Sequence, residues 1–149
     1  SDKVSNRFIA HSMNRTRVIG LQLFKYDIQG FLQWGYNFYY SQYSLFPIDP
    51  YLCNDGCFNW VPAGDAFSVY PGPGGKPYES LHMAAFTQGL SDLRALDLYA
   101  SLTSKEEAVS LIESFAGSEI TFKEYPRREG FCVELRERIN RAIKLKIEN

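Results

Sequence analysis

The chain has almost no net charge to attract anything with. Its 16 basic and 17 acidic residues leave −1 over 149 residues, which supplies no field for nucleic acid or an anionic membrane. The charge that clusters does so between Lys123 and Glu148, where eight bases and five acids alternate as on a solvated helix face. No apolar run approaches a membrane span and no signal peptide is visible. The chain opens on Ser1 rather than Met, as a processed product or an excised piece would, and its compartment is not written in it. Cysteine is too scarce for a disulfide framework, since three leave an odd thiol. Cys53 and Cys57 share a loop at a spacing unlike a zinc knuckle, and Cys132 stands alone on an amphipathic helix. They read as free thiols, with a Cys53–Cys57 loop staple as the alternative. The two histidines, His11 and His82, fall on different expected helices without a second His or Cys at ligand spacing, so no metal site and no cofactor is expected.

Catalytic patterns are missing as well. Ser80-Leu81-His82 is no nucleophile–base pair, because neighbours on a helix do not face each other. Pro71 to Gly75 is glycine-rich but lacks the Lys-Ser/Thr of a phosphate loop. Glu106-Glu107 is explained by helix capping.

What the chain does have is aromatic density without charge. Phe31 to Tyr70 holds thirteen of its Phe, Tyr and Trp residues (11, 10 and 2 in all), no Lys or Arg, and only Asp49, Asp55 and Asp65 as acids. Aromatic faces stack on the C–H faces of a pyranose, while carboxylates and amides take its hydroxyls. A sugar-binding cleft needs this composition, and an ordinary core can share it.

Periodicity predicts a helix from Asn6 to Asp27, with Asn6 as N-cap and Ile9, Met13, Gly20 and Phe24 near one face. Gly20 inside it hints at close packing against a neighbour. Phe31 to Tyr36 reads as a buried strand. No period holds from Asn37 to Gly64, and a loop that long in a compact domain is usually functional. Ala66 to Tyr70 reads as a second strand, stopped by Pro71-Gly72-Pro73-Gly74-Gly75. A long helix is expected from about Tyr78 to Leu102. Another opens on the Ser104-Lys105-Glu106-Glu107 capping box and closes at Gly117, and a last one runs from about Arg128 to Lys146 with Phe131, Leu135, Ile139, Ala142 and Ile143 on one side. Two strands beside helices suggest βα units of a parallel sheet, 1–102, followed by a helical extension, 103–149, in a single module. Two strands cannot close a sheet, so open edges are expected to pair between copies as a homo-oligomer.

Trp34, Tyr36 and Asn37 end the first expected strand, where ligands bind in a parallel α/β sheet. They form either an aromatic wall with a hydrogen-bonding amide, or core plus a loop cap. Asp65 turns the chain or binds hydroxyls. Tyr70 ends the second strand as a further wall candidate. Asp49-Pro50 reads as a turn.

These residues resemble a known family. Ser5-Asn6-Arg7-Phe8, Arg15-Thr16-Arg17-Val18-Ile19-Gly20, Lys25 to Asn37, Pro62-Ala63-Gly64-Asp65, Val69-Tyr70-Pro71-Gly72, and Ser80-Leu81 with Phe86, Gly89-Leu90, Asp92 and Arg94-Ala95-Leu96 are similar to the C-terminal half of family-123 glycoside hydrolases. The same module is catalogued as a domain of unknown function in many bacterial proteins. The resemblance implies an α/β fold, the C-terminal fragment of a (β/α)₈ TIM-type barrel contributing about two strands plus helices. It implies exo-acting β-N-acetylgalactosaminidase activity in the full-length members, in which an Asp-Glu pair on an earlier strand supports attack by the substrate's own 2-acetamido oxygen and protonates the leaving oxygen. This chain has no Asp-Glu dipeptide. It would supply a substrate wall of Trp34, Tyr36, Asn37, Asp65 and Tyr70 to an N-acetylhexosamine, meet an upstream barrel segment, and hold no catalytic acid. Where the family has Arg and Glu, His82 and Gln88 stand here; if that Arg and Glu form a structural ion pair, this chain replaces it by a neutral couple. A stand-alone carbohydrate-binding or protein-interaction module is the alternative, and an independent enzyme using Asp49 and Asp65 a third possibility, requiring a separation of roughly 5–10 Å.

Overall fold

The computed structural model describes residues 3–54 and 62–148. The order of elements is α1 (Met13–Arg17), α2 (Ile19–Lys25), β1 (Val69–Pro71), β2 (Pro77–Glu79), α3 (Leu81–Leu102), α4 (Lys105–Ala116) and α5 (Phe131–Ile147), with short 3₁₀ turns at Gln42–Ser44 and Pro73–Gly75. The described chain is mostly helical with one small sheet.

The helices form where local chemistry asks for them. The Ser80 hydroxyl accepts from Met83 N to open α3. Ser104 does the same for α4 through Glu107 N, and left-handed Gly117 closes that helix. The expected stripe of α5 is the one that packs: Phe131, Leu135 and Ile139 are buried, and Ala142 and Ile143 flank them. They meet Val18, Leu21 and Phe24 from the first helices, Leu96 and Tyr99 from α3, and Ala108 and Ile112 from α4.

The expected helix from Asn6 starts later and breaks once. Residues before Ser12 are not helical, and Val18 separates α1 from α2. Asn6 is no cap, because its side-chain oxygen meets His11 Nδ1 at 2.6 Å and its carbonyl accepts from the Thr16 hydroxyl. Gly20 does mark a close approach. A Cβ there would lie 1.9 Å from the carbonyl oxygen of Gly89, and one on Gly89 would lie 2.6 Å from that of Arg17. The first helices therefore touch α3 backbone to backbone. Beside that contact, Asp92 of α3, 2 % exposed, accepts from Arg17 Nε (2.6 Å) and Nη2 (2.9 Å) and from Arg136 Nη1 (3.1 Å) of α5.

The sheet differs from expectation. Its two strands are antiparallel, with Val69 opposite Glu79, Tyr70 opposite Tyr78 and Pro71 opposite Pro77. The Pro71 to Gly75 turn does more than stop a strand: it reverses the chain through Gly74 (φ 65°) and Gly75 (φ 75°), so that the next residues pair before α3 begins. Phe31 to Tyr36 is not a strand. Gly35 (φ 77°) takes it out of extended geometry, and the nearest ladder contact is an isolated antiparallel bridge between Asn37 and Phe67. The reading of Phe31 to Tyr36 as buried is corrected too: Leu32 is 88 % exposed.

Cys53 is disulfide-bonded, which corrects its reading as a free thiol; Cys57 lies outside the described residues. Cys132 is free and buried, and burial pushes its thiol up to about 12, so it is inert packing.

His82 does not couple to Gln88. It is buried with Nδ1 2.9 Å from the Thr16 hydroxyl, while Gln88 is exposed. Burial holds its pKa below the usual 6.5; the positive Arg7 and the neighbouring His11 act in the same sense, against Asp65 and the Phe8 carbonyl. A histidine kept neutral in the fold contributes stability above the unfolded pKa, and that contribution is lost as pH falls through 6.5 toward the folded value. Stability is therefore expected to decline on acidification from pH 7.5 to 5.5, by up to about 1.4 kcal/mol per pH unit below the unfolded pKa. Urea titrations of the wild type and His82→Gln check this: the decline should flatten in the variant, and an unchanged slope would exclude His82 as its source.

Candidate functional site

The aromatic segment is held from behind by polar contacts that no local pattern announces. Gln33 is the pivot. Its amide nitrogen donates to the carbonyls of Asp65 and Trp34, and its amide oxygen accepts from the Arg7 guanidinium. Arg7 in turn donates its backbone N–H to Asp65 Oδ1 at 2.9 Å. The guanidinium is buried, lies over the rings of Phe31 (5.3 Å) and Phe86 (5.0 Å), and has its pKa pulled down by burial. Arg7 and Gln33 were not among the expected site residues.

Past Gln33 the chain lies against the segment that leads into β1. Gly35 fits where a Cβ would come 2.7 Å from the Ala66 carbonyl oxygen. The Tyr36 carbonyl accepts from Ser68 N (2.8 Å) and Val69 N (3.4 Å), and the Tyr39 hydroxyl donates to the Val69 carbonyl (2.6 Å). With its backbone fixed in this way, the segment leaves Trp34 57 % and Tyr36 52 % exposed. Asn37 is exposed next to them. Both rings thus project from a backbone that is itself held in place.

The expected site residues thus divide. Trp34, Tyr36 and Asn37 share one surface segment, and the Trp34 ring meets Phe38 edge-on at 5.8 Å. Asp65 is half-buried in a turn closed by Phe67 N on the Gly64 carbonyl (3.1 Å), and its carboxylate accepts from Arg7 N, a long-range tie in place of an Asx-type bond. Tyr70 is buried, stacked on Tyr51 at 4.7 Å and packed against Phe67, and burial raises its pKa. Asp49 accepts from Tyr51 N, which is the expected turn. Asp49 and Asp65 are therefore each engaged by a backbone N–H.

Among the described residues no group of three His, Cys, Asp or Glu side chains is placed to hold a metal ion, and no helix is long and apolar enough to cross a membrane. The surface at Trp34 to Tyr40 is aromatic and amide-bearing without charge. Such a surface can stack on an apolar face and trade hydrogen bonds with a neutral polar one.

Compared with protein families, residues 1–99 match the glycoside hydrolase 123 catalytic domain. The chain belongs to glycoside hydrolase family 123. The match takes in the N-terminal segment, the aromatic surface, the hairpin and α3 up to Tyr99. In this family-123 chain, then, the residues that fix Trp34 and Tyr36 all lie inside the catalytic-domain match, whereas α4 and α5 lie beyond it. No match was found among curated proteins.

Proposed function

We propose that this chain is the C-terminal part of a family-123 catalytic barrel acting on N-acetylgalactosaminyl-type sugars, and that it supplies one wall of the sugar site without the catalytic acid. Trp34 and Tyr36 stack on the sugar's C–H faces, and Asn37 exchanges hydrogen bonds with its hydroxyl or acetamido groups. Asp65 and Tyr70 act from behind, Asp65 by anchoring the segment to Arg7 and Tyr70 by filling the packing under the hairpin. The observation that carries the reading is the exposure of Trp34 and Tyr36 on a backbone fixed by Gln33, Ser68 and Val69. An upstream part of the barrel would cover the remaining open edges of the hairpin and bring the Asp-Glu pair that this chain lacks.

Calorimetric titration of the intact protein with N-acetylgalactosamine tests the wall. Trp34→Ala and Tyr36→Ala should each weaken binding by at least about tenfold, or about 1.4 kcal/mol. Because neither ring is core, each should cost less than about 1 kcal/mol of stability, against about 3–5 kcal/mol for a buried aromatic. Unchanged affinity in both variants would overturn the reading.

A further inference from the structure

From Tyr39 to Ile48 the chain forms an arch that packing does not explain. Ile48 N donates to the Tyr39 carbonyl (3.1 Å), Ser41 N to the Phe46 carbonyl (2.9 Å) and Phe46 N to the Ser41 hydroxyl (3.2 Å), while Tyr40 bridges Pro47. The foot is well seated, with Tyr39 and Ile48 packed on Ala66, Phe67 and Tyr70. The tip is not relaxed. Tyr43 (φ 61°, ψ 15°) and Ser44 (φ 56°) are both left-handed, a conformation that costs a non-glycine residue about 1–2 kcal/mol. Glycine or asparagine would close the same turn with less strain. The strained position holds a tyrosine that is 84 % exposed, so its side chain returns little to the fold.

Two further observations bear on what the arch could receive. From Tyr39 to Pro47 there is no charged residue, so the arch offers nothing to an ionic partner. And a row of rings connects it to the wall: Trp34 meets Phe38 at 5.8 Å, and Phe38 meets Tyr40, at the foot of the arch, at 6.5 Å.

We propose that the arch is a second sugar platform, on which Tyr43, with Tyr40, receives the pyranose adjoining the one stacked at Trp34. The site is then built for a neutral glycan of at least two residues rather than for a free monosaccharide. This rests on the wall reading above and adds a specificity-determining residue outside it.

The test compares two probes on the intact protein by calorimetry: N-acetylgalactosamine, and a disaccharide ending in β-linked N-acetylgalactosamine whose glycosidic oxygen is replaced by sulfur to prevent hydrolysis. The wild type should bind the disaccharide about tenfold more tightly than the monosaccharide. Tyr43→Gly removes the ring and relieves the strain together. It should erase that preference, leave monosaccharide affinity within about twofold, and keep or raise Tm. Trp34→Ala should weaken both probes. Monosaccharide binding with an unchanged preference in Tyr43→Gly would overturn the platform alone, assigning the arch to another occupant such as a protein surface. Absence of binding to either sugar in the wild type would overturn the wall and the platform together.

Discussion

Gly20→Ala is expected to destabilise the protein by about 3 kcal/mol or more, lowering Tm by about 6–12 °C. In an isolated helix the same change would help, since alanine is the better helix former by about 1 kcal/mol. Here the new methyl would sit 1.9 Å from the Gly89 carbonyl oxygen. The obstacle is backbone rather than the end of a flexible side chain, so relief requires the first helices to move away from α3. That movement would disturb the buried pairs beside the contact, Arg17 with Asp92 and Thr16 with His82. Gly89→Ala should behave similarly, with 2.6 Å to the Arg17 carbonyl. Thermal melts of both variants check this, and a Gly20→Ala protein as stable as the wild type would exclude the glycine contact.

Asp92→Asn is expected to cost about 3 kcal/mol, the lower end of the range for breaking a buried ion pair. The carboxylate is 2 % exposed and serves two guanidiniums, Arg17 at 2.6 Å and Arg136 at 3.1 Å, whose side chains are 15 % and 27 % exposed. Asparagine keeps the shape but leaves both cations without their counter-charge. Their partial exposure lets water recover some of the loss, which sets the figure at the low end. Arg136→Gln, by contrast, should cost only about 1 kcal/mol, because Arg17 still neutralises Asp92 through its bidentate contact. Chemical denaturation at pH 7 separates the two. Equal losses would mean that Asp92 does not depend on Arg17 as the geometry indicates.

The helical half of the fold is legible in the sequence because its signals are local. Ser80, Ser104 and Gly117 act within a turn of the helix ends they set, and the α5 stripe repeats at helical spacing. Gly20 could be read as a close approach, though not as an approach to Gly89. That Phe31 to Tyr36 is neither a strand nor buried is not legible, because an apolar run does not say which side it faces. Left-handed Gly35 and the Gln33 amide decide that, and neither shows in the pattern. The second strand of the hairpin, Pro77–Glu79, is hidden because Pro71 to Gly75 reads as a stop and Tyr78 and Glu79 as the opening of the next helix. At the site, Trp34, Tyr36 and Asn37 stood out through composition. Arg7 and Gln33 did not, because their partners lie far off in sequence: Arg7 bonds across 26 residues to Gln33 and across 58 to Asp65. A bond of that span becomes visible only once the fold exists.

Whether Trp34 faces sugar can be read from its indole N–H. The chain has two tryptophans, and the Trp34 signal in a nitrogen-edited NMR spectrum is the one lost in Trp34→Phe. On addition of N-acetylgalactosamine to the intact protein, that signal should shift in a saturable manner as the pyranose stacks on the ring. A saturating sugar concentration that leaves it unmoved, or shifts only the signal surviving in Trp34→Phe, would contradict the assignment of this surface as the sugar wall.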